Sequence, residues 1–547
     1  MTGSHTPRQA PVPTSTASPD TPRKAAAQDT PASPDATSRR TRPDTPRKAA
    51  AQDTPAGRVA VVGAGIAGLA AAYELQCAGI ETVVMEASGR PGGKIDSSQV
   101  GGLTVDSGPD GFVARDPAAS ALCRRIGLGN DLVAPASGGA YVWVDGRLRP
   151  LPTRSLLGVP WTADAVAGTG IVSERGTQAL RHGLDRDAVA LTGDATVGEV
   201  LRPRVGDEVF EQLVDPLLGG INAGAADDMS IAACAPLLYE AARRGGPLGA
   251  ALQAVAAQHA GATSATAAGA TPQSHPQEMV AARHSHGHDA GAPVPVFLSV
   301  RGGVTRIVDA LAAELGTAVS LGTTVQSLGR APGRGTRRWR LTTPSGRLDA
   351  DAVVLACPAW ESARLLEPLA AEAAAILAAI EYSDVALTTF ALQSERLTRA
   401  LDASGYLVPR NQGLLTTACS WASSKWRHYA HEAVAVLRVS AGRTDDRRWL
   451  DLAPDELVST LASELAQTGL ISPTDASKGR FMAEVAPWRR CLPQYRPGHL
   501  ERIARAQDCL AAQTPGLAVA GAALGGVGLP ACIRSGQAAA ASVMHRP

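Results

Sequence analysis

The sequence predicts an α/β protein in which a part built on a parallel sheet is interleaved with a second part of α+β character. A short apolar run at 59–62 leads into a glycine turn, a helix-forming stretch and a strand-like run at 81–85. Two more apolar runs, at 350–358 and 517–523, are also typical of buried parallel strands. Because these strands come from distant regions of a 547-residue chain, other structure must be inserted between them.

Composition limits the classes of function. The chain has 52 Lys and Arg against 51 Asp and Glu, so its formal charge of +1 gives no general attraction to nucleic acid. The eight cysteines are at least 18 positions apart, which excludes C-x-x-C metal and redox motifs and favours a reducing cytoplasm over a disulfide framework. We expect a cytoplasmic protein with at most peripheral membrane contact, because prolines and glycines interrupt the uncharged stretch 509–533.

Two segments differ from the rest in composition. Residues 1–56 contain no Phe, Trp, Tyr, Leu or Ile and carry one 14-residue repeat twice, at 19–32 and 43–56. Such a segment buries too little apolar surface to fold, so we expect a disordered tail. The Ala-, Gly-, Thr- and His-rich stretch 245–292 is predicted to be a flexible, low-complexity insertion. No metal site is predicted from its alternating histidines, His284, His286 and His288.

The first glycine turn has the sequence context of a dinucleotide-binding site. Gly63 permits the tight turn, Gly65 lets the backbone approach a pyrophosphate, and Gly68 allows close helix–strand packing. The helix that follows offers its free N–H groups to phosphate oxygens. Glu86 ends the next strand, where a carboxylate accepts hydrogen bonds from a ribose hydroxyl. This order of strand, turn, helix, strand and acid predicts a dinucleotide cofactor.

A second glycine turn follows, with Arg90, Gly92, Gly93 and Lys94 close together. A plain NAD dehydrogenase would continue through another β-α unit, whereas this chain runs through strand-like sequence to a Gly-Pro turn at 108–109. The arrangement resembles the glutathione-reductase-type FAD-binding Rossmann-like fold, in its amine-oxidase-like branch, and the resemblance implies FAD. The two turns and the resemblance together predict FAD contacts at Gly63, Gly65, Ile66, Ala67, Gly68, Glu86, Ala87, Arg90, Gly92, Gly93, Lys94, Gly108, Pro109, Asp110, Val325, Trp488, Gly521, Val527, Gly528 and Leu529.

Longer segments narrow the resemblance to one family. In consistent order along nearly the whole chain after the tail, they resemble bacterial oxygen-dependent protoporphyrinogen/coproporphyrinogen III oxidases. The segments are 108–115, 215–224, 295–303, 420–426 and 492–500. The resemblance implies oxidation of a porphyrinogen to a porphyrin in heme biosynthesis, with electrons passing through FAD to dioxygen and release of hydrogen peroxide. Its implied partners are the porphyrinogen, dioxygen and, as a further candidate, the next enzyme of the heme pathway.

Alternatives to this function remain at the level of sequence. Coproporphyrinogen III differs from protoporphyrinogen IX in having two propionates in place of two vinyl groups. The alanine-rich composition resembles that of actinobacterial relatives and favours coproporphyrinogen III as the substrate. An amine oxidase or a carotenoid desaturase would share the glycine turns but act on another substrate. A carrier that binds flavin or tetrapyrrole without turnover is a third alternative.

Few side chains stand out as candidates for substrate binding or catalysis. A porphyrinogen is a large apolar disc with carboxylate arms, so its site should be an apolar slot with cations at the rim. Arg115, which follows the Gly-Pro turn, and Lys425, which lies among aromatic residues, are predicted to bind the substrate carboxylates. We expect the flavin to carry the redox chemistry, and His499 is a candidate base, although a histidine there also fits the start of a helix.

The cofactor and substrate segments alternate along the chain. We predict an FAD-binding domain from 57–140, 293–380 and 480–547, because the cofactor motifs occur in all three segments. A substrate-binding domain is predicted from 141–244 and 381–479. The slot is expected where the two domains meet.

Overall fold

The computed structural model describes residues 57–265, 295–332 and 338–544. Among them, five parallel strands form the sheet at the centre of one part of the molecule. In spatial order its strands are Val319–Ser320, Glu81–Met85, Arg58–Val62, Ala352–Leu355 and Leu517–Val519. The predicted runs at 59–62, 81–85, 350–358 and 517–523 thus form one sheet, and the predicted α/β fold class is confirmed. The predicted tail and histidine run lie outside the described residues.

Helices cover both faces of this sheet. In the strand Arg58–Val62, Val59 and Val61 point into one apolar core while Ala60 and Val62 point into the other, as the two-residue period of a strand requires. The first core is closed by the helices Ile66–Cys77, Thr305–Leu315 and Leu529–Met544. The second core is closed by the helices Ala359–Leu366, Ala371–Ala378 and His499–Gln513.

A seven-stranded, mostly antiparallel sheet forms the second part. In spatial order its strands are Met482–Pro493, Tyr382–Gln393, Val434–Ala441, Thr416–Ser420, Gly405–Leu407, Tyr141–Val144 and Arg147–Pro150. The helix Pro454–Gln467 packs against it through Leu457, Leu461 and Leu465. The predicted domain boundary at 480 needs correction, because the strand Met482–Pro493 pairs along most of its length with Tyr382–Gln393 and so belongs to this sheet.

A helical cluster completes the second part and contains a third apolar core. Its longer helices are Glu174–Asp185, Val197–Val205, Asp215–Asn222, Pro236–Arg244 and Leu248–Ala265. The predicted start of the flexible insertion at 245 is wrong, because Leu248, Leu252 and Val255 are buried in this core. The pattern was missed because small alanines and glycines around these three residues weaken the apolar periodicity.

Smaller elements complete the described structure. Three short β-structures consist of Ser97–Val100 with Leu103–Asp106, Phe112–Val113 with Phe297–Val300 and Leu132–Val133, and Ser155–Leu156 with Val159–Pro160. A three-stranded antiparallel sheet consists of Ser327–Arg330, Trp339–Thr343 and Gly346–Ala350. Further helices are Pro117–Arg125, Asp207–Val209, Phe210–Val214, Ile231–Cys234, Ala422–Lys425, Pro473–Ser477 and Ala522–Gly525.

The described residues also show the state of the cysteines and the character of the helices. All eight cysteines lie there, and each is a free thiol. None of the helices in this part of the chain combines the length and the apolar character needed to cross a bilayer.

Candidate functional site

The first glycine turn joins the central strand to the helix Ile66–Cys77. Gly63 has φ of +104°, and its N–H donates to the Met85 carbonyl at 2.8 Å, which ties the turn to the neighbouring strand. A Cβ on Gly68 would lie 1.9 Å from the Gly63 carbonyl oxygen, so only glycine lets the helix pack this close to the strand. By contrast, a Cβ on Gly65 would meet nothing within 4 Å. The turn is therefore tightly packed behind and open in front.

Glu86 lies directly against this turn. One carboxylate oxygen accepts from the Ala64 N–H at 2.7 Å and the other from the Ser88 N–H at 2.9 Å. Its backbone continues the sheet, because its N–H donates to the Ser320 carbonyl at 2.9 Å. The predicted place of an acid beside the turn is thus observed, while its contact with a ribose, and any contact of the adjacent Ala87, stays a prediction.

The second glycine turn packs on the first. The Gly92 N–H donates to the Ala64 carbonyl at 2.8 Å, which places the two turns side by side. The Arg90 guanidinium donates to the Gly93 carbonyl at 2.8 Å and pairs with Asp96 at 3.0 Å. Arg90 therefore stabilises its own turn, and its predicted contact with a diphosphate stays a prediction.

Lys94 lies at the end of the second turn. Solvent reaches this residue, yet enough protein surrounds its ammonium group that desolvation lowers its pKa. The thiols of Cys491 and Cys532, from two other segments, oppose that shift electrostatically. A cation in a partly enclosed position beside the two turns has the character expected of a contact to an anionic cofactor.

The segment 106–110 carries the predicted contacts Gly108, Pro109 and Asp110. A Cβ on Gly108 would lie 2.0 Å from the Lys94 carbonyl oxygen, so this segment packs directly on the second turn. Asp110 pairs with Lys425 at 3.1 Å and with Arg438 at 2.9 Å. Burial opposes ionisation of Asp110, but the two cations outweigh it and hold its pKa well below the usual range.

This geometry changes the interpretation of Lys425. Its ammonium group faces the Asp110 carboxylate and lies over the rings of Trp426 and Phe297, at 5.1 and 5.8 Å from their centroids. Its charge is therefore already matched inside the protein, and its predicted role as a rim cation for substrate stays a prediction. Sequence reasoning missed Arg438, although a single arginine inside the apolar strand Val434–Ala441 is a signal of a buried ion pair.

Two further predicted contacts belong to segments that meet the turns. Val325 is buried, and its carbonyl accepts from Arg364 at 3.1 Å. Val325 precedes the strand Ser327–Arg330, and the Thr323 N–H donates to the Glu86 carbonyl at 2.7 Å, which keeps this segment beside the acid.

Trp488 lies on the strand Met482–Pro493 of the seven-stranded sheet. Its indole N–H donates to the Ser107 carbonyl at 2.8 Å. Trp488 thus joins the sheet to the segment 106–110, and a direct contact with the cofactor stays a prediction.

The C-terminal glycine loop lies between two cores. Leu529 is buried in the core of the five-stranded sheet, whereas Val527 packs on the helical cluster. The Tyr495 hydroxyl accepts from the Gly526 N–H at 3.0 Å, and Gly521 donates to the Ser535 hydroxyl at 2.9 Å. The loop that carries Gly521, Val527, Gly528 and Leu529 is therefore fixed at the junction of the two parts.

His499 begins the helix His499–Gln513, as one of the two interpretations of the sequence predicted. It is 2% exposed, and its Nε2 lies 3.0 Å from the Ala523 carbonyl oxygen, so Nε2 carries the proton and donates. Burial lowers its pKa to about 4. His499 is thus a neutral imidazole that holds the short helix Ala522–Gly525 in place, and a catalytic role stays a prediction.

Arg115 is half-buried at the start of the helix Pro117–Arg125. Burial lowers the pKa of its guanidinium, and the nearby Glu240 on the helix Pro236–Arg244 opposes that effect. This places the predicted rim cation between the part built on the parallel sheet and the helical cluster, where we expected the slot.

The donors present fit an FAD diphosphate. The helix Ile66–Cys77 has no side-chain cap and no acid in its first turn. No side chain of this helix therefore accepts from its first N–H groups or neutralises the positive end of its dipole. The open face of Gly65 gives room for close approach, since a Cβ there would meet nothing within 4 Å. The neighbouring Gly93 has no side chain to fill this space, whereas a Cβ on it would lie 3.4 Å from the Gly65 Cα. Glu86 lies where a carboxylate would accept from a ribose hydroxyl, and that contact stays a prediction.

Comparisons with known proteins show which proteins the chain is similar to. A model of the family of flavin-containing amine oxidoreductases matches residues 66–544. The chain is 29% identical over 494 residues to the coproporphyrinogen III oxidase of Bacillus subtilis (strain 168), covering 89% of this chain and 97% of that protein. It is 32% identical over 498 residues to the coproporphyrinogen III oxidase of Propionibacterium freudenreichii subsp. freudenreichii, covering 89% and 90%. The crystal structure of a candidate protoporphyrinogen oxidase from Exiguobacterium sp. 255-15 superposes with a TM-score of 0.73 at 28% identity, covering 89% and 98%.

Proposed function

The chain belongs to the family of flavin-containing amine oxidoreductases, with FAD as its cofactor, and we propose that it oxidises coproporphyrinogen III to coproporphyrin III in heme biosynthesis. The observation that carries the proposal is the likeness to two coproporphyrinogen III oxidases, which covers 89% of this chain in each case. The Exiguobacterium structure favours protoporphyrinogen IX as the second candidate substrate.

The overall reaction removes six hydrogens from the macrocycle. Each of three rounds takes two electrons and two protons from the substrate and reduces one dioxygen to hydrogen peroxide. Bound FAD supplies the electron acceptance in each round. What the protein must do is hold the cofactor, orient the substrate and exclude water and competing reactions. The eight free thiols support the proposal that it does so in a reducing cytoplasm.

We assign the cofactor contacts to the two glycine turns and the loops around them. The N-terminus of the helix Ile66–Cys77 would hold the diphosphate, with Gly65 allowing its close approach. Glu86 would accept from the ribose, and Lys94 would add a positive charge nearby. The fixed C-terminal loop around Gly528 would meet the other end of the cofactor.

The test is an assay of the purified chain with both reduced substrates. Coproporphyrinogen III and protoporphyrinogen IX are prepared without oxygen, mixed with enzyme in air, and followed by porphyrin fluorescence and by peroxide release. We expect three peroxides per porphyrin and a higher kcat/KM for coproporphyrinogen III. A higher kcat/KM for protoporphyrinogen IX would select the second candidate. No porphyrin above the autoxidation blank with either substrate would refute both.

A substitution at Gly65 tests whether the first glycine turn binds FAD. Gly65→Asp puts a carboxylate at the open face of the turn, where its Cβ would meet no atom within 4 Å and its charge would repel a diphosphate. We expect this variant to fold but to lack FAD and activity. If it bound FAD as well as the parent chain, the assignment of the first turn would be wrong.

Arg115 tests the proposed carboxylate rim. Arg115→Ala removes a half-buried cation, so we expect the KM for coproporphyrinogen III, which carries four carboxylates, to rise about tenfold with FAD content unchanged. Arg124→Ala, which removes an exposed arginine on the helix Pro117–Arg125 that follows Arg115, is the control and should leave KM unchanged. Equal KM values for the two variants would remove Arg115 from the substrate site.

A further inference from the structure

Arg438 reaches from the seven-stranded sheet to the segment 106–110. It belongs to the strand Val434–Ala441, near the middle of the sheet, and is only 5% exposed. Its guanidinium donates to the Gly108 carbonyl and pairs with Asp110 at 2.9 Å. Because Lys425 pairs with the same carboxylate, one anion is shared by two cations in a buried place. Removing either side leaves buried charge without its full partner.

Two more side chains from the same part hold this segment. The Tyr429 hydroxyl donates to the Asp106 carboxylate at 2.7 Å and accepts from the Asp106 N–H at 3.0 Å. The Trp488 indole donates to the Ser107 carbonyl at 2.8 Å. We call residues 106–110, held by these side chains and by Arg438 and Lys425, the clamped segment.

The clamped segment transmits this hold to the glycine turns by direct packing. Gly108 lies so close to the Lys94 carbonyl that a Cβ there would be 2.0 Å from its oxygen. The second turn, which contains Lys94, is in turn bonded to the first through the Gly92 N–H and the Ala64 carbonyl at 2.8 Å. A continuous path of contacts therefore runs from the sheet to the first turn.

We propose that Arg438, Asp110 and Lys425 are positioning residues that couple the seven-stranded sheet to FAD binding. The proposal rests on the place assigned to FAD at the two glycine turns. When the ion pairs are intact, the sheet holds the second turn in the geometry that receives the cofactor. By thermodynamic reciprocity, bound FAD then stabilises the sheet through the same contacts.

The experiment compares Arg438→Met with the parent chain in two measurements on the full-length protein. The first is the dissociation constant of FAD, together with the rise in unfolding temperature that FAD causes. The second is hydrogen exchange of Val434–Ala441 and of Ile66–Cys77, each with and without FAD. We expect the dissociation constant to rise about tenfold, the FAD-induced rise in unfolding temperature to shrink, and the FAD-dependent protection of Val434–Ala441 to be lost.

A matched control excludes a purely structural effect. Asp475 also lies between two cations, Arg396 at 3.0 Å and Arg480 at 3.2 Å, and neither ion pair involves a residue of the clamped segment. Arg396→Met should lower the unfolding temperature with and without FAD by the same amount and leave the FAD-induced rise unchanged. If Arg438→Met does the same, the coupling does not exist.

Two outcomes separate this proposal from the assignment of the cofactor site. If FAD fails to protect Ile66–Cys77 in the parent chain, the assigned place of FAD is wrong. If FAD protects that helix but changes Val434–Ala441 equally in parent and variant, only the coupling is refuted. Should Arg438→Met not fold, Lys425→Met leaves Arg438 to neutralise Asp110 and is judged by the same measurements.

Discussion

Buried titratable side chains show how the environment sets chemistry at the scale of a residue. His499 is enclosed by protein, lies against the Tyr495 ring with 4.4 Å between centroids and an interplanar angle of 31°, and donates to the Ala523 carbonyl. Arg502 further disfavours its charged form, and Asp194 opposes this weakly. The imidazole is thus neutral at pH 7 and fixed in orientation, which suits it to hold the loop at the junction of the two parts.

The stability of the protein should depend on the protonation of His499. Its pKa of about 4 in the folded state lies below the value of about 6.5 in an unfolded chain, so acid favours unfolding. The contribution is present above about pH 6.5 and is lost as the pH falls toward 4, with a loss of about 2 kcal/mol at pH 5. We expect His499→Gln to show a smaller drop in unfolding temperature between pH 7 and pH 5 than the parent chain.

Carboxylates titrate in both proteins between pH 7 and pH 5. The difference between the two drops in unfolding temperature therefore reports on His499 alone. An equal drop in the two proteins would show that His499 is not buried as a neutral group. Direct titration of its ring protons by NMR gives an independent value of its pKa.

At the scale of elements, two helices depend on glycine for their distance. A Cβ on Gly536 in the helix Leu529–Met544 would lie 2.1 Å from the Ala67 carbonyl oxygen in the helix Ile66–Cys77. The helix Ile66–Cys77 is rich in alanine, and its Ala70, Ala71 and Ala72 are fully buried. Small side chains on both helices allow this close packing, which in turn positions the first glycine turn.

Gly536→Ala should therefore destabilise the fold despite the better helix propensity of alanine. Overpacking at a backbone contact costs about 1–3 kcal/mol, while the gain in propensity is about 1 kcal/mol. We expect a lower midpoint of urea unfolding and weaker FAD binding. Gly329→Ala is the control, because its Cβ would meet nothing within 4 Å, and it should change the free energy of unfolding by less than about 0.5 kcal/mol.

At the scale of the whole molecule, the chain passes repeatedly between its two parts. The strands of the five-stranded sheet come from both ends and the middle of the described chain, and those of the seven-stranded sheet lie between them in sequence. The C-terminal loop contacts the core of each part through Leu529 and Val527. Unfolding of one part would therefore remove contacts that stabilise the other.

Heating should consequently unfold the described parts together. Calorimetry of the FAD-loaded and FAD-free chain is expected to give one transition in each case, with the loaded protein unfolding at the higher temperature. Two separate transitions, of which only one responds to FAD, would contradict this cooperativity.

Local patterns carried most of what could be predicted at the site. The first glycine turn, Glu86 beside it and the helix that starts at His499 were all predicted from residues close together in sequence. The insertion boundary and the partners of Lys425 were not. A helix rich in small residues has little apolar periodicity, and Lys425 and Asp110 are 315 positions apart.

The sequence by itself determined the α/β class, the cofactor motifs and the family, because short spacings and turn residues encode them locally. Tertiary structure decided which charges meet. Arg438 and Lys425 share Asp110 only because the strand Val434–Ala441 and the helix Ala422–Lys425 both meet the segment 106–110 in the folded chain. That pairing depends on contacts between distant segments, which no local spacing specifies.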